Sequence, residues 1–560
     1  VVGSGASGLA AAVAAAQFGL KVVVAEKAPV FGGTSAWSGG WLWIPRNPLA
    51  RAAGIEEDPA EPKRYLASVL GNRASDPRID AFLANGPEMV DFFARNSAVE
   101  WIDGNGIPDF HDLPGAAQGG RSVSVRPYDG RALGPMIHRL RPPLDVISLW
   151  GMGIAGGADL RHFLDATRKP ASALHVLRRL GRHLRDLALH RRGMQLVNGN
   201  ALVARLVRSA MDKGVTLLPE APVTRLLCAG DRVSGAVLRL DGREVTLRAR
   251  RGVVLAAGGF PHDRARLAAT MAHAADGTGH HSAAPVENTG DGMRLGEAAG
   301  GACRFDLDQP AAWAPVSLVP GKDGVRRFPH LVERAKPGFL AVDAQGQRFV
   351  NEADSYHDVL TAMLDHGTPH AWLIADHRAQ RRFGLGWAKP FPFPTFPARR
   401  AGYLKRGRTL AELAAACDLP AAALEATVER FNRFAREGRD PDFGRGLSTY
   451  NRVQGEAGQS LGPLDRAPFY AVRIVPGSLG TFAGLSTDAA GRVLAEDGTP
   501  VAGLFAVGND AASIFGGHYP SGGITLGPGM TFGYIAARVL AGLAVTGVET
   551  PQARDLETTP

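Results

Sequence analysis

A phenol stands four residues ahead of a glycine amide in Tyr519-Pro520-Ser521-Gly522-Gly523. That arrangement offers two hydrogen-bond donors, the tyrosine hydroxyl and an uncovered backbone N–H, to one carbonyl oxygen. A preorganised pair of this kind stabilises an enolate as it develops, and losing one such donor costs about 3 kcal/mol. Just downstream, Gly527-Pro528-Gly529-Met530 reads as a helix start, with Pro528 suited to the first helical position. The apolar run from Thr531 to Leu540 continues it, and the positive end of that helix favours negative charge nearby. The plainer alternative is a packed tyrosine beside a glycine turn.

A second constellation lies at the other end of the chain. Gly3-Ser4-Gly5-Ala6-Ser7-Gly8 fits G-x-G-x-x-G. Val1-Val2 read as the end of a buried strand, Leu9 to Phe18 as an Ala-rich helix, and Lys21 to Ala25 as a second strand ending at Glu26. This is the β-turn-α-β order of a dinucleotide site, with an acid about 20 residues after the glycines. Gly3 permits the tight turn, Gly5 a close approach of backbone to pyrophosphate, and Gly8 close packing of helix on strand. The helix N-terminus presents free N–H groups to the phosphates, and Glu26 is placed to accept from an adenosine ribose. A glycine turn in an ordinary α/β unit is the alternative. A second glycine-rich loop, Gly32-Gly33-Thr34-Ser35-Ala36-Trp37-Ser38-Gly39-Gly40, suits the longer reach of FAD. With FAD bound there, the positive end of the 531–540 helix would face the flavin pyrimidine.

Two distant strand-to-glycine segments complete the pattern: Val253 to Phe260, and Leu504 to Asp510. Together these residues resemble the flavoprotein group containing fumarate reductases and 3-ketosteroid dehydrogenases, from Val1 to about Gly542 and most weakly over Gly130 to Arg192. The resemblance implies that Glu26, Thr34, Ser35, Gly39, Val223, Gly258 and Asn509 lie near FAD. Thr289-Gly290-Asp291-Gly292 resembles a further hallmark, where the nucleotide domain meets the second domain. The candidate cofactor set is therefore Gly3, Gly5, Ala6, Ser7, Gly8, Glu26, Lys27, Gly33, Thr34, Ser35, Ser38, Gly39, Gly40, Val223, Ala257, Gly258, Asp291, Gly508, Asn509, Gly523, Thr525 and Leu526. The Gly33-Thr34-Ser35-Ala36 loop lacks the His found in covalent relatives, so non-covalent FAD is expected.

Tyr519-Pro520-Ser521-Gly522-Gly523 resembles the Y-P-x-x-G segment of 3-ketosteroid Δ1-dehydrogenases. The resemblance implies that the Tyr519 hydroxyl and the Gly523 amide hold a substrate ketone. Gly346 to Tyr356 resembles the family's G-x-R-(F/Y)-x-N-E-x-x-x-Y stretch, in which the Tyr removes a proton; Tyr356 is the candidate base. A free phenol has a pKa of about 10, so it needs help to act near neutrality. The family's further active-site Tyr, in a D-Y-Y-like segment, has no phenol here: the match is Asp109-Phe110-His111-Asp112. His111 and Tyr128 are the candidates to replace it.

These elements imply an α/β fold: a discontinuous Rossmann-like FAD-binding domain (residues 1–275 and 455–560) with an inserted α+β substrate, or capping, domain (residues 276–454). The expected activity is flavin-dependent desaturation of a cyclic ketone, foremost a 3-ketosteroid, with a quinone or another oxidant as electron acceptor. The alternatives are fumarate-reductase-like reduction of a small unsaturated acid, desaturation of a small oxo-alicyclic acid, a Δ4-type ketosteroid dehydrogenase, and a flavin-binding protein without turnover. Carboxylate substrates need cationic clamps, for which Arg348 and Arg473 are available.

Hydrophobic residues make up 45% of the 560, enough for a large core and two domains. The three cysteines are far apart and suit a reducing compartment, with no metal-ligand spacing, so no metal and a cytoplasmic location are expected. The charge of +9 reads as an Arg-rich surface, with no nucleic-acid motif. No window is long and apolar enough to span a bilayer. A strand should precede the first glycine turn, so residues upstream of Val1, with any targeting information, are expected. Residues 171–192 read as a basic amphipathic helix, with Leu174, Leu177, Leu184 and Leu187 at helical spacing. It is either an ordinary surface helix or a peripheral membrane contact.

Overall fold

Short β-branched runs build the central sheet, as expected for strands covered on both faces. The computed structural model describes residues 1–322 and 324–548. Val23–Ala25 pairs in parallel with Thr216–Leu218, and Val2 bridges Ala25 on one side and Leu255 on the other. Val253–Leu255 continues the sheet in parallel to Pro500–Ala506, and Arg492–Leu494 closes it antiparallel. A three-stranded antiparallel meander, Val223–Ala229, Arg232–Leu240 and Arg243–Arg248, extends from the same sheet.

The helix Ala6–Gln17 lies buried over most of its length. Its alanines give it a slim profile, and the last helix, Leu526–Leu540, crosses it at two glycines. A Cβ at Gly529 would stand 2.3 Å from Ser7 Oγ, and one at Gly533 2.6 Å from the Ser7 carbonyl oxygen. Only glycine permits this approach. The last helix begins at Leu526, so Pro528 occupies the third helical position rather than the first. Its missing N–H is again one that the first turn leaves without an intrahelical partner.

The second sheet is antiparallel, in the order Phe339–Val342, Ala371–Ala375, Phe469–Ile474, Lys405–Gly407. Helices Leu410–Ala416 and Ala421–Arg436 cover it through Leu413, Leu424, Val428 and Phe431. Phe469–Ile474 falls within the 455–560 range read as returning to the nucleotide sheet, yet it pairs here. The chain regains the parallel sheet only at Arg492–Leu494. Residues 549–560 of that range lie outside the described residues.

The glycine turns are tied to the 289–292 segment and to Asp510. Lys27 Nζ donates to Thr289 Oγ1 at 2.8 Å and pairs with Asp291. Asp510 accepts from the amides of Ala257 and Gly259. A Cβ at Gly292 would lie 1.9 Å from an Asp510 oxygen, so the second position of the helix Asp291–Ala298 must be glycine.

The amphipathic segment forms the helix Pro170–His190, and it is inverted. Its buried face carries Ser172, Arg179, His183 and Asp186. Arg179 donates to the Gly153 carbonyl at 2.9 Å, His183 Nε2 lies 3.0 Å from the Trp150 carbonyl, and Asp186 accepts from the Met194 amide at 3.1 Å. These polar anchors turn the leucines outward: Leu174, Leu177, Leu184 and Leu189 are 48–69% exposed. Leu187, expected among them, is half-buried, and Leu189 takes its place.

Candidate active site

The first glycine turn is shaped by its neighbours. Gly3 has φ +100°, and a Cβ there would stand 2.2 Å from the Ala256 carbonyl oxygen. Glu26 accepts from the Ser4 amide and hydroxyl at 3.1 and 2.6 Å, and from the Ala28 amide at 2.8 Å. Its carboxylate is thus fixed at the strand end beside the turn. The Ala6 amide donates to Ser35 Oγ at 3.0 Å, which brings the second glycine loop against the helix N-terminus. Thr34 Oγ1 accepts from Asn288 Nδ2, which also reaches the Gly258 carbonyl. Ser38 Oγ donates to the Ser35 carbonyl and accepts from the Gly40 amide. Gly508 sits over Ser7, whose Oγ would be 2.7 Å from an added Cβ. Asn509 follows in the short helical turn Gly508–Asp510. Val223 opens the meander and packs near Ala25.

These residues fit FAD by their donor set. The amides of Gly5, Ser7 and Gly8 donate to no described residue, nor do those of residues 522 to 526. One array opens the first helix and the other the last, and each suits an anionic or electron-rich group. Lys27 and Asp291 satisfy each other, so in this state their part is to join the loop to the second region.

Beyond the last helix, four aromatic side chains from different parts of the chain converge. Tyr356 opens the helix Tyr356–Asp365, capped by Ser355. Its ring meets Tyr519 edge to face, with centroids 5.2 Å apart and planes at 80°. Phe110 stacks on Tyr519 at 5.6 Å and 14°, and Tyr450 lies against Phe110 at 4.6 Å. The Phe110 amide donates to the Pro520 carbonyl at 3.0 Å, and the Tyr65 hydroxyl donates to the same oxygen. These two bonds hold the 109–111 segment against Tyr519. Gly523 has φ +103°, and its carbonyl accepts from the Trp43 amide at 3.2 Å.

Burial governs the titration of this cluster. Tyr519 is pushed up to about 12 by burial, with its hydrogen bond to the Tyr356 phenol working the other way. Tyr356 retains partial exposure by area, yet its phenol is closely surrounded; desolvation, then Tyr519, hold it well above the ordinary phenol value. His357 packs beside Tyr519 at 5.5 Å, and burial lowers it to about 4, so it is neutral at pH 7. Its Nδ1 accepts from the Trp313 amide. Burial opposes charge on His111 as well, but Asp358, 2.9 Å from Nε2, outweighs it and raises the imidazole.

The charged residues of the Gly346–Tyr356 stretch are consumed in a buried network. Arg348 donates to Glu352 at 2.8 Å and to Asp440 at 2.9 Å, and Arg445 donates to Glu352 at 3.0 Å. All four are at most 5% exposed by side chain. Burial penalises the Glu352 carboxylate, but Arg348 and Arg445 overcome it and hold it below its usual value. Arg348 is therefore not free to clamp a substrate carboxylate. Arg473 is exposed on the strand Phe469–Ile474.

Of the two candidates to replace the absent phenol, His111 borders the cluster through Tyr65 and Asp358. Tyr128 is elsewhere, under the Arg205 guanidinium on a strand paired with Gln195–Leu196. Tyr450 and Tyr65 are the aromatic hydroxyls that sequence reasoning missed. Neither sits in a glycine-rich or otherwise marked segment, so no local signal distinguishes them from core tyrosines.

The FAD binding domain family profile matches residues 1–526. The 4-oxocyclohex-2-ene-1-carboxylate 5-dehydrogenase of Sinomonas cyclohexanicum is 40% identical over 555 residues, covering 97% of this chain and 93% of that protein. The 3-oxosteroid 1-dehydrogenase of Mycobacterium tuberculosis is 36% identical over 570 residues, covering 97% of each. Among solved structures, the 3-ketosteroid Δ1-dehydrogenase of Sterolibacterium denitrificans, in complex with 1,4-androstadiene-3,17-dione, is similar with a TM-score of 0.87. It is 34% identical, and the match covers 96% of this chain and 98% of that one.

Proposed function

The chain belongs to the FAD-binding-domain family of flavin-dependent oxidoreductases, and on that premise we propose that it desaturates a cyclic ketone beside the carbonyl, with a 3-ketosteroid as substrate. The observation that carries this reading is the meeting of Tyr356 and Tyr519 next to the uncovered Gly523 amide. The Tyr519 hydroxyl and the Gly523 N–H hold the ketone oxygen and acidify the neighbouring C–H. Tyr356, as its phenolate, takes that proton: the C–H bond breaks, an O–H bond forms on the phenolate oxygen, and the electron pair enters the new C=C as the β-hydrogen leaves with its own pair. The amides of Gly5, Ser7 and Gly8 and those of residues 522 to 526 would hold FAD, which would supply the hydride acceptor, with a quinone or another oxidant taking the electrons onward.

A neutral ring suits the surroundings. Arg121 is engaged by Asp109 and Glu57, and Arg348 by Glu352 and Asp440. A dicarboxylate would lack its clamp there. A small oxo-alicyclic acid is the second reading, favoured by the 40% identical relative that acts on a 4-oxocyclohexene carboxylate. Anaerobic mixing of the holoenzyme with a panel of 3-ketosteroids, oxocyclohexane carboxylates and succinate separates these. Bleaching of oxidised flavin by a steroid is expected; bleaching by the oxo acids alone would replace the first reading with the second, and by succinate alone would remove both.

The inverted helix carries a partner reading of its own. Leu174, Leu177, Leu184 and Leu189 share the exposed surface with Arg178 and Arg185, and Trp150, 63% exposed, stands close by through His183. Apolar side chains flanked by arginines match the headgroup region of an anionic bilayer. Contact there would deliver an apolar substrate. No helix among the described residues is long and apolar enough to cross a membrane.

A further inference from the structure

The base faces an electrostatic obstacle. Tyr356 must accept a proton, yet its burial and the phenols of Tyr519 and Tyr450 all disfavour its anion. From its own helix come Asp358, paired with His111, and neutral His357; from the preceding turn comes Asp354, whose carboxyl burial raises to about 6. The cation that opposes this set is Arg334, in the turn Glu333–Ala335.

Arg334 is 2% exposed and bonded all round. Nε donates to the His330 carbonyl at 2.8 Å, Nη1 to the carbonyls of Glu352 and Asp354 at 2.5 and 2.7 Å, and Nη2 to that of Leu331 at 3.3 Å. Every acceptor is a neutral carbonyl. No carboxylate lies within ion-pair distance of it among the described residues, in contrast to Arg348 and Arg445, which are paired. A buried guanidinium without a counter-ion is costly. Its charge is felt by Tyr450, by the Glu333 and Asp354 carboxylates beyond ion-pair distance, and by Tyr356, and the Asp354 carbonyl fixes it two residues from Tyr356.

We propose, resting on the reading of Tyr356 as base, that Arg334 is the positioning residue whose charge, in direct contact with no carboxylate, stabilises the Tyr356 phenolate that abstracts the proton. The phenolate itself then supplies the missing partner: before the step it carries the negative charge that faces Arg334, and taking the proton from the ketone neutralises it. Tyr450 lies in the same field beside Phe110, and it takes the place of the phenol absent from the 109–112 segment.

The test uses the FAD-loaded enzyme and flavin bleaching by whichever ring ketone reduces it, followed across pH. Arg334→Met and Arg334→Gln remove the charge. The expected result is a rate at neutral pH reduced about 100-fold, an ascending limb, set by deprotonation of Tyr356, displaced upward by about one pH unit or more, and an unchanged KM. Arg334→Lys keeps the charge while giving up most of the carbonyl bonds, and it is expected to restore the wild-type pH profile. An unmoved profile in the neutral variants overturns the proposal. So does an Arg334→Lys enzyme that fails to load FAD or loses activity without regaining the profile, because the carbonyl clamp would then be the whole role. If the neutral variants alone fail to load FAD, the Arg334→Lys profile decides. Tyr356→Phe separates the two readings: full desaturation by that variant would remove the base itself, whatever Arg334 does.

Discussion

The Trp43 amide donates to the Gly523 carbonyl at 3.2 Å, and a Cβ built on Gly523 would stand 2.6 Å from that same Trp43 nitrogen. The carbonyl is therefore held on one side, and the N–H is aimed elsewhere. Gly523→Ala must relieve both a backbone clash and a φ of +103°. The left-handed region alone costs an L-residue about 1–2 kcal/mol. Thermal unfolding is expected at lower temperature, with desaturation lost even where FAD remains bound. A variant with wild-type turnover would show that the backbone geometry glycine permits at 523 is not needed to hold the ketone.

Tyr519→Phe removes one donor and keeps the ring that packs against Phe110. About 100-fold is expected off kcat/KM, the value of one oxyanion donor. Tyr356→Phe removes the proton acceptor, with about 10²–10⁴-fold expected off kcat. Stopped-flow bleaching of the flavin measures both. Equal residual rates in the two single variants and the double variant would show that the two hydroxyls act as one unit.

Asp510 gives a pH dependence with a definite sign. Burial raises its carboxyl to about 6, with the Gly259 and Ala257 amides partly offsetting the penalty. The folded state therefore holds its proton more tightly than the unfolded state. The stability this provides is complete below about pH 4 and is lost as pH rises through about 6. Two pKa units correspond to on the order of 3 kcal/mol. Between pH 4.5 and 7, wild-type stability relative to Asp510→Asn should fall; parallel urea-denaturation curves across that range would exclude the effect.

The outward leucines predict lipid binding. Sedimentation with vesicles of phosphatidylglycerol and phosphatidylcholine should pull down the wild-type enzyme and leave Leu177→Glu/Leu184→Glu in solution, with bleaching by a soluble ketone unchanged. Equal recovery of both proteins in the supernatant would remove the membrane reading.

Some of this was written plainly in the chain. The Gly3–Gly8 turn, Glu26 and the Tyr519–Gly523 segment are local patterns, each short enough that spacing alone constrains its geometry. The position of Pro528 was less plain, because its preference for the first helical position sets the start there, while the helix begins two residues further back, where Gly529 and Gly533 pack on Ser7. Periodicity found the helix Pro170–His190 but not which face is covered; that depends on Asp186 and His183 meeting partners distant in sequence. Arg334 and Tyr450 carried no signal, since their importance comes from neighbours that only tertiary contacts supply. Arg348 looked available for the opposite reason: its partner Asp440 is remote in the chain.

The crossing of the first and last helices at Ser7, Gly529 and Gly533 bears on how the enzyme is made. Synthesis delivers the glycine turn before the wall against which it seats, and the whole intervening chain emerges between them. Until then the nascent chain holds half a cradle and an exposed alanine helix. Flavin loading consequently awaits the helix Leu526–Leu540, and truncation shortly before Leu526 is expected to leave a polypeptide colourless as well as inactive.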